Sequence, residues 1–329
     1  MQVTFFQRRP QGANFSLERV FADVCGALPP GIKARMAVSR FASRGLFRRT
    51  YNIIEAAFRQ GDVNHITGDV HFLAFLLRKK RTLLTIADLV SVHRLTGWRR
   101  ALFLFLWYWL PIKRVAAVSV ISEATKQDLL QQIKVDPRKV RVVHCPVSDT
   151  LQPVVKEFNT VRPVILQVGT RSNKNVARVA QALHGVTCHL RVVGPLDEAQ
   201  LAVLQQCGTE CSSVTNISDS QVTEEYRRCD LLVFASTFEG FGLPIVEAQA
   251  TGRPVVTSNI LSMPEVAGGA ACLVDPFVVA SIRAGLLKVI NDAAYRDGLV
   301  KAGFENVKRF RPEQIARQYA DIYRELSNA

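Results

Sequence analysis

The sequence lacks several patterns that would assign it to a common functional class. Its seven cysteines are scattered and form no C-x-x-C pair. The closest two, Cys207 and Cys211, have no histidines at metal-binding spacing. An odd number of dispersed cysteines is typical of reduced thiols in the cytoplasm. The stretch MQVTFFQRRPQG has no apolar signal-peptide core before its arginines. We therefore expect a cytoplasmic protein.

Nucleotide and membrane motifs of the familiar kinds are also missing. There is no G-x-G-x-x-G or Walker sequence, which argues against dinucleotide oxidoreduction and P-loop phosphoryl transfer. The absence of zinc-finger spacing and of an aromatic RNP-like run argues against a nucleic-acid partner. The apolar run Ala101–Leu110 has about half the length needed to span a bilayer. Flanked by arginines and lysines, it fits a helix in a membrane interface, and the alternative is a core helix.

Acidic residues are scarce in the first half of the chain. Residues 1–160 contain 25 Lys and Arg against 11 Asp and Glu, whereas residues 161–329 contain 17 of each. The entire net charge of +14 therefore lies in the first half. Such asymmetry indicates a polyanionic partner, such as an anionic substrate or a membrane surface. The alternative is a charge that serves solubility.

Apolar strand-like runs alternate with helical patterns in both halves of the chain, which predicts parallel α/β sheets. The run DVHFLAFLLRKK is one of the predicted helices. The proline-containing stretch PVSDTLQPVVKEFNTVRP separates the halves and is typical of a linker. Ligands of open α/β sheets bind outside the carboxyl ends of the strands. The loops that follow the predicted strands are therefore the places to look for a site.

The first informative loop is STFEGFGLPIVEAQATG, residues 236–252. It places Glu239 and Glu247 on either side of a turn in which Gly240 and Gly242 permit positive φ. A helix that begins there offers bare amides to a diphosphate, and the carboxylates can accept hydrogen bonds from sugar hydroxyls. The alternative is an ordinary strand-to-helix connection with solvated glutamates.

A second loop, VGTRSNKN, also follows a strand and precedes a helix. It combines Gly169 with two cations, Arg171 and Lys174, which are suited to phosphate oxygens. A solvated loop would explain either cation alone. The two loops together favour a site for a ligand that carries phosphates and hydroxyls.

These residues resemble the family 4 glycosyltransferases of the GT-B fold, of the type that builds bacterial polysaccharides. FEGFGLPIVEAQATGRPVVTSN is similar to the E-x7-E region of that family, VGTRSNKN to its donor-phosphate loop, and VISEATKQDL to the segment before its interdomain cleft. The resemblance covers nearly the whole chain and is strongest from about residue 160 to residue 280.

The resemblance implies an α/β fold with two Rossmann-like domains that face each other across a cleft. Residues 1–152 would form an acceptor-binding, membrane-facing domain. Residues 153–311 would bind the nucleotide sugar. A C-terminal helix in residues 312–329 would cross back to the first domain.

The resemblance also implies roles for individual residues. The implied donor-binding residues are Gly169, Arg171, Lys174, Gly240, Phe241, Gly242, Leu243 and Glu247. Among them, Glu247 would bind the ribose, while Arg171 and Lys174 would hold the diphosphate. Glu239 would lie beside the donor sugar as a catalytic residue. Members of the family retain the anomeric configuration and need no catalytic metal, so we expect neither a metal site nor a cofactor besides the donor substrate.

The acceptor side departs from the family pattern. A His-Asp pair commonly ends the strand that corresponds to LLTIADLVSVH, and here the pair reads Ala87-Asp88. Asp88 remains a catalytic candidate. His65, in VNHITGD, and His93 are the candidates to replace the missing histidine, although a lone histidine at a strand end is more often structural.

The loop RRPQGAN corresponds to an acceptor-side loop of the family and makes Arg9 and Gly12 acceptor-side candidates.

The expected function is transfer of a hexose from a nucleotide diphosphate sugar to a glycan or a polyprenyl-diphosphate-linked acceptor. We expect this to occur peripherally on the inner face of the cell membrane. Ala87 also allows a non-catalytic nucleotide-sugar-binding partner of another transferase, or an inactivated variant. An epimerase of the same fold is disfavoured by the lack of an acid/base set around the donor loops.

Overall fold

The computed structural model describes residues 1–9 and 16–328. The chain forms two compact units, one built from Met1–Pro146 together with the segment that begins at Pro312, and the other from Val147–Arg311. Each unit is an α/β structure around a parallel sheet of six strands.

The first unit contains a sheet with the strand order β2-β1-β3-β4-β5-β6, and every neighbouring pair is parallel. Its strands are β1 (Gln2–Gln7), β2 (Lys33–Val38), β3 (Val63–Ile66), β4 (Thr82–Ile86), β5 (Ala117–Val120) and β6 (Val140–Val142). Its helices are α1 (Ser16–Gly26), α2 (Leu46–Phe58), α3 (Val90–His93), α4 (Gly97–Phe103), α5 (Leu110–Lys113) and α6 (Glu123–Gln132). A π-helical stretch, Leu104–Trp109, joins α4 to α5, and short 3-10 helices span His71–Phe75, Lys79–Arg81 and Pro137–Lys139.

Strand register decides which side chains of the first unit share a face. Phe6, Ile66, Leu84 and Val118 are aligned across four strands, and all four belong to one buried apolar core. Because side chains alternate along a strand, the aligned pair Phe5 and His65 lies on the opposite face of the sheet.

The second unit has the strand order β12-β11-β10-β7-β8-β9, again fully parallel. Its strands are β7 (Val164–Val168), β8 (His189–Val193), β9 (Cys211–Val214), β10 (Leu231–Phe234), β11 (Val255–Ser258) and β12 (Cys272–Val274). Its helices are α7 (Val176–Leu183), α8 (Glu198–Gln206), α9 (Asp219–Arg228), α10 (Leu243–Ala250), α11 (Ser262–Ala267), α12 (Val279–Asn291) and α13 (Ala293–Val307). Asp197 and Ser218 form capping boxes that start α8 and α9, which satisfies otherwise unpaired amides.

The last helix, α14 (Pro312–Ser327), belongs to the first unit. Its buried Tyr319 and Tyr323 pack on the face of the sheet that carries Phe5 and His65. Phe21 of α1 completes this aromatic cluster, with its ring centroid 5.8 Å from that of Tyr319.

Most predicted strands and helices are present, but the first unit holds two differences from the sequence-based prediction. β2 and α2 were not predicted. The run DVHFLAFLLRKK was predicted to be helical, and the structure has only 3-10 turns at His71–Phe75 and Lys79–Arg81. His71 through Ala74 are all buried, so tertiary packing around the whole run outweighs its helical preference.

The segment Gly97–Lys113, here called the aromatic segment, is continuously helical. One side packs on the core through Phe103, Leu104 and Trp107, while Trp98 and Phe105 are exposed. The interpretation of this segment as a core helix therefore explains its packed side and leaves its exposed side unexplained. Within residues 1–9 and 16–328, no helix combines the length and hydropathy of a transmembrane span.

Candidate active site

Two loops of the second unit meet because the strands before them are neighbours. β7 pairs with β10 in parallel register, with Ile165 opposite Leu231. Both strands therefore end at the same edge of the sheet, where open α/β sheets bind ligands. The loop after β7 leads through a 3-10 turn, Ser172–Lys174, into α7, and the loop after β10 leads into α10.

Gly169 fixes the geometry of the first loop. Its φ is +87°, and a Cβ at this position would lie 2.9 Å from Cε of Lys174. A larger residue would therefore be strained and would displace the lysine. The Lys174 side chain crosses close to the backbone here, and its ammonium lies 4.4 Å from the centroid of the Phe234 ring.

Lys174 and Glu239 link the two loops. Nζ of Lys174 donates to Oε1 of Glu239 over 2.7 Å, and Nδ2 of Asn173 donates to the same oxygen over 3.1 Å. Asn173 also donates to the carbonyl of Phe238, and its own carbonyl accepts from the amide of Thr237. The charged side chains are 17% and 15% exposed, so the pair is accessible from solvent but held in place.

The second loop begins α10 with backbone in the left-handed region. Gly242 has φ +103° and precedes the helix, and Pro244 lies in its first turn. The hydroxyl of Ser262 lies within hydrogen-bond distance of the carbonyls of Glu239 and Phe241, at 3.0 and 2.9 Å. These bonds hold the glycine-rich turn so that the amides at the start of α10 are presented together.

Glu247 lies one to two turns into α10 and is 5% exposed. Its Oε2 accepts a hydrogen bond of 2.7 Å from the hydroxyl of the fully buried Tyr226 of α9. A buried carboxylate needs such partners, and this one fixes the side chain. Glu247 is therefore a rigid group and not the solvated glutamate of the alternative interpretation.

The other donor-side candidates differ in their surroundings. Phe241 is buried, with its ring 5.7 Å from that of Phe310, so only its backbone is suited to a ligand. Gly240 and Leu243 are half-buried, and Arg171 is exposed at the start of the 3-10 turn.

In the first unit, Asp88 follows β4. Its Oδ1 accepts from the amide of Val90 over 3.0 Å, and its backbone carbonyl accepts from the hydroxyl of Tyr108 over 3.3 Å. The carboxylate is partly exposed. Desolvation by the surrounding chain raises its pKa, and the hydrogen bond from Val90 opposes this shift.

A polar cluster that we did not predict lies beside Asp88. Nδ1 of the buried His71 lies 2.9 Å from the carbonyl of Trp107, whose indole N–H donates to Asp69 over 2.7 Å. The His71 ring also packs edge-on against Tyr108, at 5.2 Å. Burial lowers the pKa of His71, while the charges of Asp69 and Asp88 oppose this. Because a carbonyl oxygen can only accept, Nδ1–H of His71 donates to Trp107.

His65 does not lie with this cluster. It is fully buried in β3, with Nδ1 2.7 Å from the hydroxyl of Tyr323 and Nε2 2.6 Å from the hydroxyl of Thr85. Burial lowers its pKa to about 3. Both ring nitrogens of His65 are hydrogen-bonded to protein side chains, so neither is available to a substrate. The structure therefore gives no basis for a catalytic role of His65.

The remaining acceptor-side candidates are placed as follows. Nε2 of His93 lies 2.8 Å from Asp128 of α6. Arg9 donates to the carbonyl of Arg40 over 3.1 Å. Gly12 lies outside the described residues. The structure thus brings Asp88 together with Asp69 and His71 and leaves His65 in the core.

Sequence reasoning missed five site residues, among them Asp69, the last residue of the quoted segment VNHITGD. Asn173 lies in the quoted loop VGTRSNKN, and its position between two cations could have identified it as a site residue. His71 was within a run interpreted as an apolar helix. Tyr226 and Ser262 reach the site from helices far along the chain, and no local pattern identifies them.

Comparisons with known proteins identify the family of the chain. The family model described as Glycosyltransferase Family 4 matches residues 2–151, and the model described as Glycosyl transferases group 1 matches residues 149–306. The O-antigen chain mannosyltransferase B of Escherichia coli is 30% identical over 53% of this chain and 49% of its own length. The O-antigen chain mannosyltransferase RfbU of Salmonella typhimurium is 26% identical over 61% of this chain and 59% of its own length.

Among solved structures, HepE of Anabaena in complex with UDP and glucose has a TM-score of 0.79 at 16% identity, covering 98% of this chain and 99% of HepE. This likeness shows that the fold is of the GT-B type. The chain belongs to the family 4 glycosyltransferases, with the group 1 region in its second unit. It spans about half the length of the E. coli relative.

Proposed function

We propose that the protein transfers a hexose from a nucleotide diphosphate sugar to a glycan or a polyprenyl-diphosphate-linked acceptor in bacterial polysaccharide synthesis. The observation that carries this proposal is the arrangement of the two loops that follow β7 and β10, here called the cradle. There Lys174 and Asn173 both donate to Glu239, and the turn that follows Glu239 leads into the first amides of α10. The names of the two O-antigen mannosyltransferases support the glycan product and make mannose the first sugar to test.

The donor would occupy this cradle by charge and hydrogen-bond matching. Lys174, Arg171 and the amides of Gly240 to Leu243 would take the diphosphate oxygens. Glu239 would accept from sugar hydroxyls, and Glu247 would accept from the ribose. HepE supports a nucleotide sugar as the ligand, because it was solved with UDP and glucose.

In the reaction, the bond between the anomeric carbon and the diphosphate oxygen breaks while an acceptor oxygen bonds to that carbon. The nucleoside diphosphate leaves with the bonding electrons, and the proton of the acceptor hydroxyl would pass to Nε2 of His71. Lys174 and the α10 amides would stabilise the charge that develops on the diphosphate. We propose that this stabilisation makes a metal or cofactor unnecessary and that the transfer retains the anomeric configuration.

On the acceptor side we propose that Asp69, His71 and Asp88 receive the acceptor hydroxyl. His71 is the one histidine of this cluster and stands in for the histidine absent at Ala87. With Nδ1–H bound to Trp107, Nε2 of the neutral ring would be the hydrogen-bond acceptor. We further propose that the basic first unit holds the enzyme peripherally at the inner face of the cell membrane, and that nucleic acid is not a partner.

The test is release of nucleoside diphosphate from a panel of nucleotide sugars carrying mannose, glucose, galactose or N-acetylglucosamine, with and without chelator. NMR of the product's anomeric proton reports its configuration. Failure of every donor to bind would contradict the proposal.

Ala87 favours one other function, a non-catalytic partner of another transferase. Tight donor binding without turnover in any acceptor fraction would support that function, whereas turnover gained by Ala87→His would support an inactivated variant of the enzyme.

A further inference from the structure

Helix α2 presents apolar side chains on two opposite faces. The inner face carries Asn52 and Ala56, which are buried, and Ile53, which packs on the first unit's core. Asn52 fastens the loop before the helix, because its side chain bonds both the amide and the carbonyl of Phe41, at 3.1 and 2.8 Å. This face accounts for the stability of the helix in the fold.

The outer face carries a second apolar row, here called the α2 stripe, which consists of Phe47, Tyr51, Ile54 and Phe58. Spacings of four, three and four residues place these side chains along one line of an α-helix. Phe47 is 90% exposed and Phe58 is 87% exposed. A helix that is apolar on both faces is expected to be covered on both. Among residues 1–9 and 16–328, Phe41 packs edge-on against Tyr51 at 5.0 Å, while Phe47 and Phe58 at the two ends of the stripe stay uncovered.

The charges around the α2 stripe are almost all positive. Residues 33–59 contain seven Lys and Arg and one acid, Glu55. Arg44 and Arg48, next to the start of the stripe, are both exposed. Exposed aromatic side chains bordered by cations are typical of a helix that lies in the interface of an anionic bilayer.

A second exposed row runs along the aromatic segment. Trp98, Leu102 and Phe105 follow the same spacing of four and three residues, and Trp98 is 71% exposed. Arg49 of α2 connects the two elements, since its guanidinium lies 4.7 Å from the centroid of the Trp107 ring. Both elements pack on the same core, so both rows are on the outer side of one helical layer.

We infer that the α2 stripe and the exposed row of the aromatic segment form one surface that inserts into the interface of an anionic phospholipid bilayer. This inference rests on the proposed function, which places the enzyme at a membrane-linked acceptor, and it identifies the surface that does so. Aromatic rings would enter the acyl boundary while Arg44 and Arg48 meet lipid phosphates. The charge favours lipid over a second copy of this chain, because two such basic faces would repel each other.

The test compares co-sedimentation with vesicles of phosphatidylcholine alone and of phosphatidylcholine mixed with phosphatidylglycerol, over rising salt. The key variant is Phe47→Ser with Phe58→Ser, whose exposed positions allow substitution without loss of folding. The matched control is Val155→Ser with Val161→Ser, a pair of exposed apolar residues in the second unit. Donor binding and nucleoside diphosphate release in the absence of vesicles are measured for every variant.

We expect the wild type and the control to bind anionic vesicles and the phenylalanine variant to bind at least ~10-fold more weakly, with donor binding unchanged. Arg44→Glu with Arg48→Glu should remove the preference for anionic vesicles. Equal vesicle binding by the phenylalanine variant would overturn the inference, and so would lipid-independent dimers that this variant abolishes. Failure of donor binding with intact vesicle binding would contradict the proposed function alone.

Discussion

The ammonium of Lys174 lies 2.7 Å from Oε1 of Glu239, so the cation assigned to the diphosphate and the acid assigned to the sugar form a single ion pair. The pair is mostly buried, and neither side chain is independent of the other. Changes at these two positions should therefore be coupled in both stability and activity.

The first prediction concerns stability. Lys174→Met leaves the carboxylate of Glu239 without its cation and should lower the free energy of unfolding by ~1–3 kcal/mol. Adding Glu239→Gln should restore part of the loss. Urea denaturation of the wild type, both single variants and the double variant measures this coupling. Strictly additive effects would show that the ion pair has no energetic role.

The second prediction concerns catalysis at the same lysine. Lys174→Met should reduce kcat/KM for nucleoside diphosphate release by ~10²–10³-fold, because the charge on the leaving group loses its nearest cation. Lys301→Met, at an exposed lysine of the same unit, should leave the rate unchanged. A drop of similar size in both variants would argue for a general charge effect in place of a specific one.

The third prediction concerns the buried bond between Tyr226 and Glu247. Tyr226→Phe keeps the ring and removes the 2.7 Å hydrogen bond, which should weaken nucleotide binding ~3–10-fold, the equivalent of about 1 kcal/mol. Titration calorimetry with the nucleoside diphosphate provides the measurement. Tyr51→Phe serves as a control in the first unit. Unchanged affinity would mean that the orientation of Glu247 does not depend on Tyr226.

The fourth prediction separates the histidines of the first unit. His71→Gln should lower acceptor-dependent turnover ~10²-fold or more while donor binding is kept. His93→Gln, at the exposed partner of Asp128, should have little effect. If Ala87→His increases turnover and His71→Gln does not reduce it, then His71 is not the histidine in use.

The fifth prediction follows from the buried, neutral His65. Burial holds its pKa at about 3 in the folded protein, against about 6.5 in the unfolded chain. Only the unfolded state is protonated between these values, so stability is full above pH 6.5 and falls as the pH drops. The slope is ~1.4 kcal/mol per pH unit.

Unfolding free energies measured between pH 7.5 and about 4.5 test this prediction. His65→Gln should flatten the dependence, even if the loss of the bonds to Tyr323 and Thr85 lowers stability at neutral pH. His184→Gln, at an exposed position, should retain the wild-type slope. An unchanged slope for His65→Gln would show that another group governs acid unfolding.

The alternation of strands and helices was predictable because most elements carry a clean pattern. In the second unit three helices begin at capping side chains, those of Asp197, Ser218 and Asp292, and strands such as β10 are continuous apolar runs. α2 lacked both indications. It follows Gly45 without a side-chain cap, and its outer stripe obscures the helical period that a single apolar face produces. β2 is an edge strand with basic, exposed residues, so it resembles a loop.

The site residues that lie close together in the sequence could be predicted. Gly169, Lys174, Glu239 and Gly242 lie in two short loops, and neighbouring parallel strands bring those loops together. The contacts of Tyr226, Ser262 and His71 depend on how distant helices pack, which no spacing rule gives. His65 shows the reverse case, because its sequence context resembled a site and strand register placed it in the core.

The position of α14 has a consequence for how the protein is made. Tyr319 and Tyr323 close the aromatic cluster around His65, yet they are translated only after every strand of the second unit. On the ribosome the second unit can fold as soon as it emerges, while the first unit lacks the helix that packs beside Phe21 on its sheet. The unit synthesised first is therefore the last to be completed, and during that interval it is the part of the nascent chain most exposed to chaperones and proteases.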